Sequence, residues 1–232
     1  MIPENARRGY RSVAFIDLAN EESLETNQDR WRSDDPFLAL RARGAQRYVR
    51  SLSERTDAPA FRPRTRIGAA QFWADDEAAA LALDSALRDR ALLKAHPTLR
   101  DARLTVLTTR EIPVVGTTEP RLLDGLRALF VVKRRPGMSV ADYQDYWFNV
   151  HGQMVVGQPG LSRYVQNHRL APTYEGAPDD YDGVAEMSWP DSDSMATSNA
   201  AEPFRTRQTD DLPNLFDLKA GIRFFVKEED VF

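Results

Sequence analysis

Runs that favour strands alternate along the chain with runs patterned for helices, and the alternation occurs twice. Tyr10 to Ala19, carrying Val13, Phe15 and Ile16, predicts a strand. Glu21 to Arg43 predicts a helix closed by Gly44, since glycine suits the left-handed turn beyond a helix end. Ala45 to Arg55 and Ile67 to Trp73 predict two further strands. Asp75 opens an Ala/Leu helix (Ala78, Leu81, Leu83, Leu87, Ala91) that ends near His96-Pro97, because proline disfavours helix in the residue before it. Asp101 to Thr109 predicts a fourth strand, and the order so far is βαββαβ.

A connector, Glu111 to Pro120, follows, and the order begins again. Leu126 to Lys133 predicts a strand, Arg134 to Met138 a turn, and Ser139 to about Met154 a helix. Leu161 to Leu170 and Tyr181 to Trp189 predict strands, Asp191 to Ala201 an irregular helix, and Leu218 to Lys227 the last strand. The halves also share letters: Arg47-Tyr48-Val49 matches Arg163-Tyr164-Val165, and Gly68-Ala69-Ala70-Gln71 matches Gly183-Val184-Ala185-Glu186. From Phe15 to Tyr48 is 33 positions, and from Phe130 to Tyr164 is 34.

A βαββαβ unit folds as one four-stranded antiparallel sheet with both helices on one face, leaving the other face to be covered. Two such sheets can cover each other. The expectation is an α+β protein of two tandem ferredoxin-like repeats, residues 1–112 and 121–232, packed as an intramolecular dimeric α/β barrel. The alternative is two such domains on a flexible linker, each covered by something else.

Composition narrows the class. The 42% hydrophobic and 28% charged residues are those of an ordinary globular chain, and no apolar run reaches the length of a membrane span. The start, Met1 to Arg11, lacks an apolar stretch of signal-peptide length, so a cytoplasmic protein is expected. Having no cysteine excludes disulfides, thiol nucleophiles and thiolate metal sites. Nucleic acid is not an expected partner, because no basic stripe interrupts the net charge of −4. Arg41, Arg43, Arg47 and Arg50 stand among carboxylates and predict a solvated face.

The candidate chemistry lies in the second half. Ser139 is a natural N-cap, with Asp142 adding negative charge at the positive helix end. Steps of four from Tyr143 give Trp147 and His151 on one helix face, with Tyr146, Val150 and Met154 alongside. Such an aromatic stripe is ordinarily core, but a histidine at its end is less usual. In Leu161 to His168, alternation places Tyr164, Gln166 and His168 on one face and Arg163, Val165 and Asn167 on the other. The first row fits either a polar-lined cavity or the solvent face of an edge strand.

Lys133 to Gly152 together with Arg163 to His168 resembles the EthD family of the dimeric α/β-barrel superfamily. That family shows a basic-Pro-Gly turn, a helix with Tyr-x-x-Tyr-Trp-like aromatics ending in His-Gly, and a Tyr-Val-Gln-x-His strand. The similarity covers roughly residues 125–227; the first half matches only in element order and spacing. It implies kinship with cyclases, dehydratases, cofactor-free monooxygenases, lactone isomerases and haem-binding enzymes, and with a protein encoded beside an ether-degrading cytochrome P450 system. Fold alone therefore does not select a function.

No histidine lies between Met1 and Ala95. Leu52 stands where the second repeat has His168, and Asp35 or Pro36 where it has His151, so one pocket per chain is expected, with the first repeat as scaffold. His96, before Pro97, is expected to be a dipole partner or an exposed residue. The leading expectation is a cofactor-independent lyase or isomerase acting on a small cyclic or aromatic substrate. His151 would be its acid or base, His168 the partner, and Tyr143 an oxyanion donor, with Tyr146, Trp147, Tyr164, Gln166, Phe148 and Met154 lining the substrate. A non-catalytic binding protein for a neighbouring oxygenase and a haem enzyme are the alternatives. Against haem stands the lack of a carboxylate at helical spacing to His151, Asp145 and Asn149 being poorly placed. A two-histidine metal site using Glu186 is a weaker alternative, and no metal is expected. With paired repeats the chain could be a monomer or a homodimer.

Overall fold

The computed structural model describes residues 2–6, 9–18, 20, 22–54, 65–89, 91–94, 96–116, 125–175 and 181–232. The protein is α+β. Its strands are β1 (Tyr10–Asp17), β2 (Arg47–Ser53), β3 (Arg66–Ala74), β4 (Arg103–Val115), β5 (Leu126–Val132), β6 (Arg163–Arg169), β7 (Gly183–Trp189) and β8 (Ile222–Asp230). They form one closed antiparallel barrel in the order β1-β3-β2-β8-β5-β7-β6-β4. Each half therefore contributes four neighbours in the same relative order, β4-β1-β3-β2 and β8-β5-β7-β6, as a ferredoxin-like unit does. Among the described residues no helix is long and apolar enough to cross a membrane.

Two compact units divide the chain, Gly9–Thr109 with Val226–Phe232, and Met1–Arg8 with Arg110–Phe225. In the first, β3 lies between β1 and β2, and the end of β8 adds to β2. Its helices are α1 (Leu24–Ser33), α2 (Glu77–Arg88) and the short α3 (Ala91–Lys94). The single helix expected over 21–43 is broken: α1 stops at Ser33, and a 3₁₀ helix runs from Pro36 to Arg43. Pro36 restricts Asp35 to extended backbone, where its carboxylate caps the new helix by accepting from the Phe37 N–H at 2.9 Å. Gly44 closes that helix at φ 95°, as expected of a left-handed cap.

Two expectations need correcting here. Arg50 is not solvated: it is buried, donating to Asp35 at 2.6 Å, and Asp35 also accepts from the Tyr48 hydroxyl at 2.8 Å. His96 is not exposed. It is buried, Nδ1 accepts from the N–H groups of Thr98 and Leu99, and Nε2 donates to the Asp34 carbonyl. Its ring thus ties the end of α1 to a 3₁₀ turn sixty-odd residues away.

In the second unit β7 lies between β5 and β6, and α4 (Val140–Tyr146), α5 (Ser192–Ala200) and α6 (Phe204–Leu215) accompany them. The expected connector Glu111–Pro120 begins as strand instead, because the β-branched run around Ile112 and Val114-Val115 prolongs β4; residues 117–120 lie outside the described residues. Ser139 caps α4, accepting from the Asp142 N–H at 3.1 Å. The helix expected over 139–154 is not uniform. It passes from α4 into a π turn at Trp147–His151 and a 3₁₀ turn at Gly152–Val155. Helix α6 was not expected at all: its exposed face is polar, and Pro213 lies inside it. The basic-Pro-Gly turn is fastened to its end, Arg135 N–H donating to the Leu215 carbonyl at 2.9 Å and Arg134 bridging to Phe216. Asp182 holds the same turn, accepting from the Arg134 backbone N–H at 2.8 Å and pairing with its guanidinium.

Candidate functional site

The π turn has a visible cause. The Trp147 carbonyl accepts from the Gly152 N–H, five residues on, and from Gln166 Nε2 of β6 at 2.7 Å. A side chain that engages a helix carbonyl from outside displaces the ordinary four-residue bond. Four residues of α-helix overshoot one turn by about 40°, and the wider turn takes back that drift. Tyr143, Trp147 and His151 are accordingly all buried on one face.

His151 Nδ1 lies 2.8 Å from Asp211 Oδ2 on α6. A carboxylate can only accept, so Nδ1 carries the proton and Nε2 keeps its lone pair. Asp211 Oδ1 accepts from the Tyr146 hydroxyl at 2.5 Å and from Asn214 Nδ2 at 3.2 Å. Burial pushes the His151 pKa down, and the bond and charge of Asp211 only partly offset it, so the ring is neutral near pH 7. Burial raises the Asp211 carboxyl, but hydrogen bonds from Tyr146, His151 and Asn214 outweigh it and hold it below its ordinary value. The bond to Asp211, then burial, push the Tyr146 phenol up, so it stays a donor.

His168 is placed differently. Its ring stacks on Trp147 at 4.6 Å and 12°, and Nε2 meets Gln166 Oε1 at 2.9 Å. Trp147 Nε1 donates to the Tyr164 hydroxyl at 3.0 Å, which Gln166 Nε2 also approaches at 3.3 Å. Burial pushes the Tyr164 phenol up to about 12. The row Tyr164, Gln166, His168 therefore faces the helices and is packed, the case in which alternation was right and the choice between cavity and solvent was answered by neither. The ring contacts lead from one imidazole to the other through two aromatic side chains. Between them stand Trp147 and Phe216, which meet edge-on at 5.9 Å, Phe216 in turn meeting His151 at 5.5 Å and Tyr143 at 6.1 Å.

Tyr143 is fully buried, its hydroxyl has no hydrogen-bond partner among the described residues, and burial pushes its pKa well up. Phe148 and Met154 are half-buried at the margin, and neither has a hydrogen bond or ring contact with the imidazoles among the described residues. Glu186 is removed from the histidines altogether: it pairs across from Val165 on the other face of the sheet and holds Arg163 at 2.5 Å. Among the described residues no group of three His, Asp or Glu side chains could hold a metal ion.

Asp211 and Asn214 were missed. The available signal was weak: Asp211, Asn214 and Leu215 share a helical face, with Asp211 and Leu215 buried, but Pro213 masks the helix. Finding Asp211 also removes the reason given above against haem, since His151 does own a carboxylate partner. Beside that pair Phe216 meets Trp147 and His151 edge-on, at 5.9 and 5.5 Å.

The fold is that of a dimeric α/β barrel. Residues 135–219 match the family model of the EthD domain, a span that holds both His151 and Asp211. No curated protein matches the chain by sequence. Solved structures share the fold: an anthrone oxidase-like protein (TM-score 0.60, 7% identity, covering 96% of this chain and 93% of that one) and a candidate monooxygenase of Fusobacterium nucleatum (0.58, 9%, 96% and 94%). A candidate monooxygenase of Lactobacillus acidophilus is similar at 0.52 and 9%, covering 95% and 93%.

Proposed function

We propose that the protein is an enzyme that moves a proton on a small cyclic or aromatic substrate, using His151 as its acid–base group and no redox cofactor. The observation that carries this reading is the His151–Asp211 pair at 2.8 Å, both members buried. Asp211 fixes the tautomer, burial keeps the ring neutral, and Nε2 is left as the base. Proton removal next to a carbonyl or on a phenol generates imidazolium, which Asp211 stabilises, and an oxyanion. Tyr143, a buried phenol with a proton to give, is the candidate donor to that oxyanion. Trp147 and Phe216 supply aromatic wall, with Phe148 and Met154 at the margin. The chemistry runs through one imidazole and a carboxylate in place of two imidazoles. Isomerisation, cyclisation, dehydration and the deprotonation that precedes a cofactor-free oxygenation all begin with this step.

Deuterium exchange at the acidic carbon of 2-tetralone, anthrone and α-angelica lactone, followed by NMR in D₂O, tests the reading. At least one should exchange faster than in buffer, and His151→Ala should lose about 10²-fold or more of that rate. No acceleration with any probe, or full activity in the variant, overturns it. Tight binding of a probe without exchange would support the accessory-protein alternative.

A further inference from the structure

Gln166 and His168 of β6 face the helix that carries His151, and Gln166 bonds that helix directly at the Trp147 carbonyl. We infer that Gln166 and His168 are positioning residues: together they hold the π turn that delivers His151 to Asp211. This rests on the reading of His151 as the acid–base group, but the geometry it explains does not.

The chain of contacts runs one way. The Trp147 carbonyl can only accept, so the Gln166 amide nitrogen must face it, at 2.7 Å. The Gln166 carbonyl oxygen then points to His168 Nε2 at 2.9 Å, which must be the protonated nitrogen. His168 thereby fixes which way the amide is turned, and the amide fixes the helix carbonyl. With Trp147 O committed to Gln166 and to the Gly152 N–H, the turn between Trp147 and His151 closes with five residues.

Gly152 is the fourth part. A β-carbon there would stand 2.5 Å from Gln166 Nε2 and 2.9 Å from the Trp147 carbonyl oxygen, so only glycine leaves the amide its seat. The backbone at Gly152 is ordinary right-handed helix at φ −61°, so no left-handed strain calls for glycine there. Helix propensity alone would favour alanine. The glycine is explained by the approach of Gln166 and by nothing in its own conformation.

The first unit lacks the device and builds something else in its place. There Leu52, four residues after Tyr48, stands where His168 stands after Tyr164, and Arg50 stands where Gln166 does. Arg50 donates to Asp35, the counterpart of His151 four residues after a tryptophan, and α1 ends with no π turn.

The test reads the tautomer of His151 by long-range ¹H–¹⁵N imidazole spectra, with His151→Gln providing the assignment. In the native protein His151 should show the Nδ1–H pattern. Gln166→Met, which keeps length and apolar bulk but not the donor, should lose it to the mixed pattern of a solvated imidazole. Gly152→Ala should do the same although it improves helix propensity, and it decides the matter if Gln166→Met does not fold. His168→Phe keeps a ring on Trp147 but removes the donor to Gln166; it should weaken the Nδ1–H pattern, whereas His168→Gln, which retains a donor, should restore it. Folded Gln166→Met and Gly152→Ala proteins that keep the native His151 spectrum overturn the inference. A native spectrum without the Nδ1–H pattern removes the dyad, and the proposed function with it. Native spectra combined with absent proton exchange remove the proposed function only.

Discussion

Trp147 lies directly on Gly183: a β-carbon added to that glycine would stand 2.6 Å from Trp147 Cζ3 and 2.6 Å from the Asn167 carbonyl oxygen. The first unit repeats the contact, with Trp31 Cζ3 at 2.9 Å from a β-carbon on Gly68. Both tryptophans precede their strand tyrosine, Tyr48 or Tyr164, by 17 positions. Overpacking of this kind costs about 1–3 kcal/mol. Gly183→Ala should lower the urea midpoint accordingly and loosen the Trp147–His168 stack, visible in near-ultraviolet dichroism. A variant as stable as the native protein would show that Trp147 has room to retreat.

Phe216 is the ring to remove if the interior is to be opened. It contacts Tyr143, Trp147 and His151, each edge-on. Phe216→Ala should cost about 3–5 kcal/mol and leave an apolar hollow bordered by the acid–base group. Dry apolar cavities accept small aromatic molecules, so benzene or indole should raise the melting temperature of the variant more than that of the native protein. No ligand-dependent rise would mean that the neighbouring rings collapse into the gap.

What the sequence shows and hides follows from where each bond partner lies. Caps are local: Ser139 and Gly44 were legible because the groups they satisfy are four residues away or fewer. The alternation of Tyr164, Gln166 and His168 was legible too, being a property of strand geometry. Which side of the sheet meets the helices is not, and this determined whether His168 lined a hollow or packed on Trp147. The π turn was invisible because its cause, Gln166, lies 19 positions beyond Trp147. Asp211 is 60 positions from His151, on a helix whose polar face and internal proline weaken the periodic signal. Pairing across such distances is decided by packing, and nothing within either segment declares it.

His96 offers a control in the other unit. Its Nδ1 accepts from Thr98 and Leu99 at 3.1 and 2.9 Å, so His96→Ala leaves a buried donor at Leu99 and a half-buried one at Thr98 without this acceptor. The expected loss is about 1–3 kcal/mol, with faster amide exchange at those two residues. The His151 tautomer should not change. If it does, the division of roles between the units is wrong.

The last prediction concerns pH. Burial lowers the His151 pKa in the folded protein below its ordinary value of about 6.5, whereas the unfolded chain keeps that value. Just below pH ~6.5 the unfolded state therefore binds more protons than the folded one, and stability rises with pH across that window. The contribution is complete above the unfolded pKa and is lost as pH falls through the folded one. Asp211, also depressed, acts in the same direction in a lower window, from about pH 4 downward. Urea unfolding between about pH 5 and 7.5 should show the first slope in the native protein and a flatter one in His151→Gln, which cannot titrate. Catalysis should follow the same group: kcat/KM should rise with pH through a pKa below ~6.5. In Asp211→Asn that limb should move lower still, because the bond and charge that partly hold the pKa up are gone. An acid limb that stays in place in Asp211→Asn would mean that the titrating group is not His151.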